Sequence, residues 1–285
     1  MTHLKWLNKN TVWYIAVIVL ITVGFVGCSK REEYKKTEIN VFLAASLDNV
    51  IMDLTEKFNE ENPDIKINLN ADSSATLLTQ IKEGASCDIF FSAAQNQMNE
   101  LEEEHLIKEG TRRDVLNNQL VVVTLKNSNT KVTGLSDIEK AESIALAGAN
   151  VPVGKYTREA LINIGKLEKV EEVSKITTKA ISEKLRITEI SEQDNVSKVL
   201  LAVAEGSCEV GTIYYSDLYG YEDRLEILET VSHDLTGNVT YPICLVENEE
   251  ADEAKKKASE KFYEFILSEE AKKVFEQYYF DTNTE

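Results

Sequence analysis

Three times between residues 39 and 104 a short apolar run gives way to a stretch with helical spacing: "INVFLAA" precedes 47–60, "IKINLNA" precedes 75–83, and "CDIFFSA" precedes 95–104. Strand-sized apolar runs separated by amphipathic helices need crossover connections rather than tight hairpins. The pattern therefore restricts the chain to an α/β layout with largely parallel strands. The first helix is marked best, because Leu47, Val50, Ile51, Leu54 and Phe58 recur at spacings of three, four, seven and eleven and so share one face. A second set of elements opens with "NQLVVVTLKNS" (118–128). "YPICLVEN" (241–248) is a further strand, followed by two helical stretches, "ADEAKKKASEKFYEFIL" and "SEEAKKVFEQYY". With only 12 glycines and 3 prolines, long flexible linkers are not expected, and any joint between substructures should consist of strand-like crossings.

The N-terminus carries a different signal. Residues 1–27 hold Lys5 and Lys9, no acid, and the apolar run "VWYIAVIVLITVGFVG", which is the layout of an export leader. The run ends at Cys28, and "FVGC" resembles a lipoprotein signal-peptide site at which that cysteine is lipidated; an uncleaved N-terminal anchor is the competing reading. Either way the chain is expected outside the cytoplasm and tied to the membrane. Residues 28–38 ("CSKREEYKKTE") are charged and aperiodic, as a solvated tether should be. The roughly 245 residues that follow exceed what one core usually holds, so two lobes are expected. Their expected boundaries are 39–119 with 245–285, and 120–244.

Charge narrows the function. Without the two leader lysines the balance is 29 basic against 49 acidic side chains, near −20. Such a surface repels nucleic acid and anionic lipid, which excludes a nucleic-acid role. It repels small anions at long range too, so an anion site has to win by close contact in a shielded place. Beyond Cys28 there are three cysteines, Cys87, Cys208 and Cys244, with no Cys-x-x-Cys pair. They read as buried small hydrophobes or as one disulfide plus a thiol, and spacing does not choose.

Four helix starts share one design. Ser46 precedes the first helix, Ser73 and Ser74 precede Leu77, Leu78 and Ile81, Pro152 opens the stretch that Gly165 stops, and Asp194 and Asn195 open the one that Gly206 ends. Each start offers backbone N–H groups without intrahelical partners and the positive end of a helix dipole. One alone is a cap, and serine favours that position. Four directed at one point would form an anion site, with charge-assisted bonds of roughly 1.5–3 kcal/mol each.

The segments "VFLAASLDNVIMDLTEKF", "SSATLLTQIKEGASCDIFFSAAQNQMNEL", "NQLVVV", "VPVGKYTREAL", "GTIYYSDL" and "YPICLV", in this order and spacing, resemble the molybdate-binding proteins of bacterial molybdate ABC transporters. The resemblance implies a two-lobed periplasmic-binding-protein-like fold of type II, each lobe a mostly parallel sheet flanked by helices, with the ligand in the interlobe cleft. It implies contacts to molybdate or tungstate through the hydroxyls and N–H groups of Ser46 and Ser74, the N–H groups of Val153 and Val196, and the phenol of Tyr214. Molybdenum would be held only as its oxyanion, with no cofactor, by a monomer that delivers it to an ABC permease. Tyr215 is the alternative to Tyr214, and Ala94 stands where the family often has aspartate. Asp48, Asp72 and Asp194 flank the contacts and are expected to stay off the ligand. Another tetrahedral oxyanion such as sulfate is the alternative cargo.

A serine hydrolase is the rival class, and it needs a base beside its serine. No Gly-x-Ser-x-Gly occurs. His3 belongs to the leader, and His105 and His233 lie in polar stretches expected at the surface. No phosphate-binding loop, dinucleotide glycine pattern, zinc-protease motif or EF-hand loop is present, so cofactor chemistry and enzymatic activity are not expected.

Overall fold

A computed structural model describes residues 36–187 and 189–284. The expected leader, the lipidation site Cys28 and the tether up to residue 35 lie outside the described residues.

The first part of the chain forms β1 (Thr37–Ala44), α1 (Asp48–Glu61), β2 (Ile65–Asp72), α2 (Ser74–Lys82), β3 (Ile89–Phe91), α3 (Gln95–Glu103) and β4 (Arg113–Asn118). Next come β5 (Leu120–Leu125), β6 (Ser143–Ala147), α4 (Pro152–Asn163), α5 (Thr178–Leu185), β7 (Glu189–Gln193), α6 (Val196–Ala204), β8 (Val210–Tyr214) and β9 (Leu225–Thr230). A short α7 (His233–Thr236) leads to β10 (Val239–Leu245), α8 (Glu253–Ile266) and α9 (Glu269–Gln277).

Two five-stranded sheets result, ordered β2-β1-β3-β10-β4 and β7-β6-β8-β5-β9. The parallel pairings expected from the alternation make up half of each sheet: β1 with β2 and β3, and β6 with β7 and β8. Antiparallel pairings complete them, β10 with β3 and β4, and β5 with β8 and β9. The two sheets thus repeat one plan, in which a parallel half carries the helices and an antiparallel half receives the chain from the other sheet.

Packing follows the sequence pattern. Val50, Ile51, Leu54 and Phe58 of α1 are buried as one face, which stabilises the fold by roughly 6–12 kcal/mol before ordering entropy is subtracted. Phe58 meets Phe262 of α8 edge-on at 5.0 Å, so the C-terminal helices close over the first sheet. In the second sheet "VVV" of β5 is wholly buried, as a strand covered on both faces should be.

The chain crosses between the sheets at Gln119 and again between Val231 and Asn238. The second crossing contains α7, so it is not purely strand-like. It also returns earlier than the 245 boundary expected from sequence, since Val239 already pairs with Asn118 of the first sheet. Gln119 donates to the carbonyl of Val231 at 2.9 Å, tying the crossings together. Pro242 sits inside β10 at a register shift, where a bulge accommodates its missing N–H. Cys87, Cys208 and Cys244 are buried free thiols. Among the described residues no helix is long and apolar enough to cross a membrane.

Candidate functional site

Ser46, Asp72, Ser74 and Ala93 from the first sheet's side and Val153, Val196 and Tyr214 from the second's line one small cavity between the sheets. All five residues expected to hold an anion line it. A larger hollow around Asp88 and Glu260 is less suited to a ligand. There the Asp88 carboxylate already takes the N–H of Asn40 at 2.7 Å, the amide of Asn248 at 2.8 Å and the ammonium of Lys255 at 3.1 Å.

On the first wall the hydroxyls are held by their own partners. Ser73, not Ser74, caps α2, its Oγ accepting the N–H of Thr76 at 3.1 Å. Ser74, buried at the first helical position, is thereby spared from capping. Its Oγ accepts the N–H of Ala93 at 2.9 Å, which leaves its hydrogen free to donate. Ser46, half-buried in a 3₁₀ turn that ends β1, lies 2.9 Å from the hydroxyl of Tyr241.

The direction of that bond follows from Asn118. Its Oδ1 accepts the N–H of Gln119 at 2.9 Å and of Ser216 at 3.4 Å, so its amide nitrogen faces the Tyr241 hydroxyl at 3.2 Å and Ser216 Oγ at 2.7 Å. Tyr241 is fully buried, and the hydrogen of its hydroxyl has Ser46 Oγ as its acceptor. Were Ser46 to donate instead, that hydrogen would be stranded at a penalty of roughly 1–3 kcal/mol. The relay Asn118 to Tyr241 to Ser46 therefore turns the Ser46 hydrogen outward as a donor. Sequence reasoning missed Asn118 and Tyr241; their signal was their place at the two chain crossings, in "NQLVVV" and "YPICLV".

The second wall relies on main chain. Pro152 occupies the first helical position of α4, where its missing N–H costs nothing, and Val153 follows with a first-turn donor. Gly154 lets the helix start touch the end of β6: a Cβ there would sit 2.2 Å from the Gly148 oxygen and 2.5 Å from that of Ala147. At α6 the Asn195 side chain caps Lys198 N–H at 3.0 Å, leaving the N–H of Val196 among the unpartnered first-turn donors.

Tyr214, at the end of β8, is buried, and its hydroxyl has no partner. Burial pushes its phenol well above the usual range, so it remains protonated and can donate. Tyr215 is 38% exposed and packs on Tyr279, which assigns the cavity position to Tyr214. Behind it Asp217 accepts the Tyr214 N–H at 2.9 Å. The residue is partly exposed, but its carboxyl is enclosed, and burial raises its pKa to about 7.

The three flanking acids differ. Asp194 points to solvent and pairs with Lys198 at 2.6 Å. Asp48 lies outside the cavity lining. Asp72 does line the cavity, contrary to the expectation that it stays clear, but its Oδ1 is occupied by the N–H of Ser73 at 2.7 Å and the amide of Asn195 at 3.1 Å. The Asn195 contact spans the two walls, as does the bond from Ser197 Oγ to the Ala45 carbonyl at 3.4 Å. The walls are thus closed on each other. What the arrangement offers chemically is a set of uncharged donors and helix N-termini, suited to a small anion, beside one carboxylate, Asp72, whose Oδ1 is held by Ser73 and Asn195.

Residues 39–281 match the family model described as bacterial extracellular solute-binding protein. The chain belongs to this family. Its relatives include the provisionally named ABC transporter substrate-binding lipoprotein YvgL of Bacillus subtilis, 28% identical over 96% of this chain and 98% of its own. The molybdate-binding protein ModA of Escherichia coli is 29% identical over 97% and 98%. In three dimensions the periplasmic molybdate-binding protein of Azotobacter vinelandii aligns with a TM-score of 0.68 at 16% identity, covering 85% of this chain and 98% of that one. These solute-binding proteins are extracytoplasmic transport components rather than enzymes. Ser46 is partnered by Tyr241, and both His105 and His233 are exposed, as expected from their polar surroundings in the sequence.

Proposed function

We propose that this solute-binding protein captures molybdate or tungstate between its two sheets and presents it to an ABC permease, as a monomer lipidated at Cys28. The observation that carries the reading is the meeting of Ser46, Ser74, Val153, Val196 and Tyr214 around one cavity, with the Tyr214 hydroxyl buried and unpartnered. A buried hydroxyl without a partner costs roughly 1–3 kcal/mol, and a ligand oxygen would remove that cost. The lipidated N-terminus is supported by the leader layout and by the lipoprotein designation of the Bacillus subtilis relative.

Donors alone discriminate between anions. Molybdate and tungstate are proton-free dianions at neutral pH, and every oxygen can accept. Monohydrogen phosphate brings a proton that the serine, tyrosine and N–H donors do not accept, and the one carboxylate lining the cavity, Asp72, already has its Oδ1 bound by the Ser73 N–H and the Asn195 amide. The relay that turns the Ser46 hydrogen outward strengthens this exclusion. Sulfate is proton-free too, so its rejection rests on size, the larger metal oxyanion reaching donors that sulfate cannot reach together. Capture follows from closure: donors from both walls engage the anion at once only when the cleft is shut, so binding favours the closed form.

Thermal-shift titration tests the reading, because a ligand that binds only the folded state raises Tm by mass action. Tryptophan quenching cannot serve, since Trp6 and Trp13 both lie in the expected leader. Molybdate and tungstate should raise Tm strongly, sulfate weakly and phosphate not at all. An equal shift with phosphate would sink the selectivity, and a sulfate shift above that of molybdate would reassign the cargo.

A further inference from the structure

No lysine or arginine lines the cavity, and the chain carries a formal charge of −18. One cation nevertheless lies behind the second wall. Arg158, in the second turn of α4, is 0% exposed and is the one lysine or arginine among the described residues that is buried. Its Nε donates to the Ile176 carbonyl at 2.7 Å, and its Nη1 donates to those of Ala147 at 2.9 Å and Gly154 at 2.7 Å. Nη2 is buried without a partner. Among the described residues no carboxylate lies within ion-pair distance of the guanidinium; the acid whose field reaches it is Glu192, an exposed residue of β7.

A buried guanidinium without a carboxylate is expensive to keep. Burial lowers its pKa to about 10, so it stays charged at neutral pH. Ala147 ends the strand that leads into the cavity loop, and Gly154 is the residue after Val153. The charge is thus anchored to both ends of the segment that carries the Val153 donor.

We propose that Arg158 is the counter-charge of the cavity, a positioning residue that fixes the segment 147–154 and makes the site prefer doubly over singly charged tetrahedral anions. The inference rests on the oxyanion reading above. Coulomb attraction scales with the charge of the guest, whereas hydrogen-bond geometry and shape are nearly the same for tungstate and for the monoanion perrhenate. Loss of the Arg158 charge should therefore weaken the dianion by the square of the factor that it costs the monoanion. Damage to packing would weaken both alike.

Titration calorimetry on the full chain with tungstate and perrhenate separates these cases. In Arg158→Met we expect a loss of roughly 30-fold for tungstate and about fivefold for perrhenate. Arg158→Lys, which keeps the charge but not the fork that clamps three carbonyls, should weaken both anions by a similar factor and leave the tungstate-to-perrhenate ratio within about threefold of the parent. Equal losses for the two anions in Arg158→Met, or a lysine variant whose tungstate-to-perrhenate ratio falls as far as that of the methionine one, would overturn the inference. Should Arg158→Met not fold, Glu192→Gln provides the test from the surface: removing the opposing field should tighten tungstate about twofold and perrhenate less. No change, or an equal change, speaks against the counter-charge. A parent protein that binds neither anion refutes the oxyanion reading itself, whereas a parent that binds with an unaltered tungstate-to-perrhenate ratio in the variants removes only the role of Arg158.

Discussion

The two walls of the cavity hold their donors in opposite ways. On the first, Ser46 and Ser74 present side-chain hydroxyls, each oriented by a neighbour, Tyr241 or the N–H of Ala93. On the second, Val153 and Val196 present main-chain N–H groups at helix starts, and the one side-chain donor, Tyr214, has no protein partner. Where a donor is a side chain with a partner, its removal should damage both the ligand complex and the fold. Where the donor is main chain, side-chain identity should hardly matter. Where the donor is unpartnered, removal should harm binding and help folding.

The largest effect belongs to the main chain. Val153→Pro deletes a first-turn N–H where proline is tolerated, and tungstate affinity should fall on the order of 100-fold. Val153→Ala, which keeps the N–H, should stay within about threefold by calorimetry, and an alanine effect as large as that of proline would break the contrast. Ser74→Ala removes a donor to the anion and the acceptor of Ala93 N–H, so affinity should drop roughly tenfold and unfolding free energy about 1 kcal/mol together. Tyr214→Phe should weaken the anion about tenfold while raising ligand-free stability by roughly 1 kcal/mol in urea titration, because the stranded hydroxyl disappears. Destabilisation in that variant would mean that the hydroxyl is satisfied in the free protein.

The smallest effect concerns Asp217. Its folded pKa of about 7 lies above the ordinary 3.8, so the folded state binds more protons across the interval between these values. Stability from this group is therefore greatest at the acid end and is lost as pH rises through 7. Tm should fall from pH 5 to pH 8, and Asp217→Asn should flatten that slope by about 1–2 kcal/mol, since solvent near the residue screens part of the penalty.

Much of this was legible in the chain itself. Apolar spacing located α1 and its buried face, and proline, serine and asparagine marked the helix starts because each solves a local hydrogen-bond problem within a few residues. What such signals omit is anything settled by distant partners. Whether a strand pairs in parallel or antiparallel fashion depends on its neighbour, and so the mixed character of both sheets was not readable. Choosing Ser73 over Ser74 as the cap depends on one backbone torsion, and the tether between Asp72 and Asn195 depends on the approach of the two walls. The Asn118 and Tyr241 relay is the clearest case, since its members lie 123 positions apart and meet only because both chain crossings run side by side.

Gly154 sets one more condition. With backbone oxygens of Ala147 and Gly148 occupying the space of any Cβ, the height of α4 above its strand is fixed by main chain against main chain. Sequence drift at 153 can proceed through alanine, valine or other small residues while the donor keeps its place. A single methyl group at 154 would lift the helix away and spoil the contact for every choice made next door.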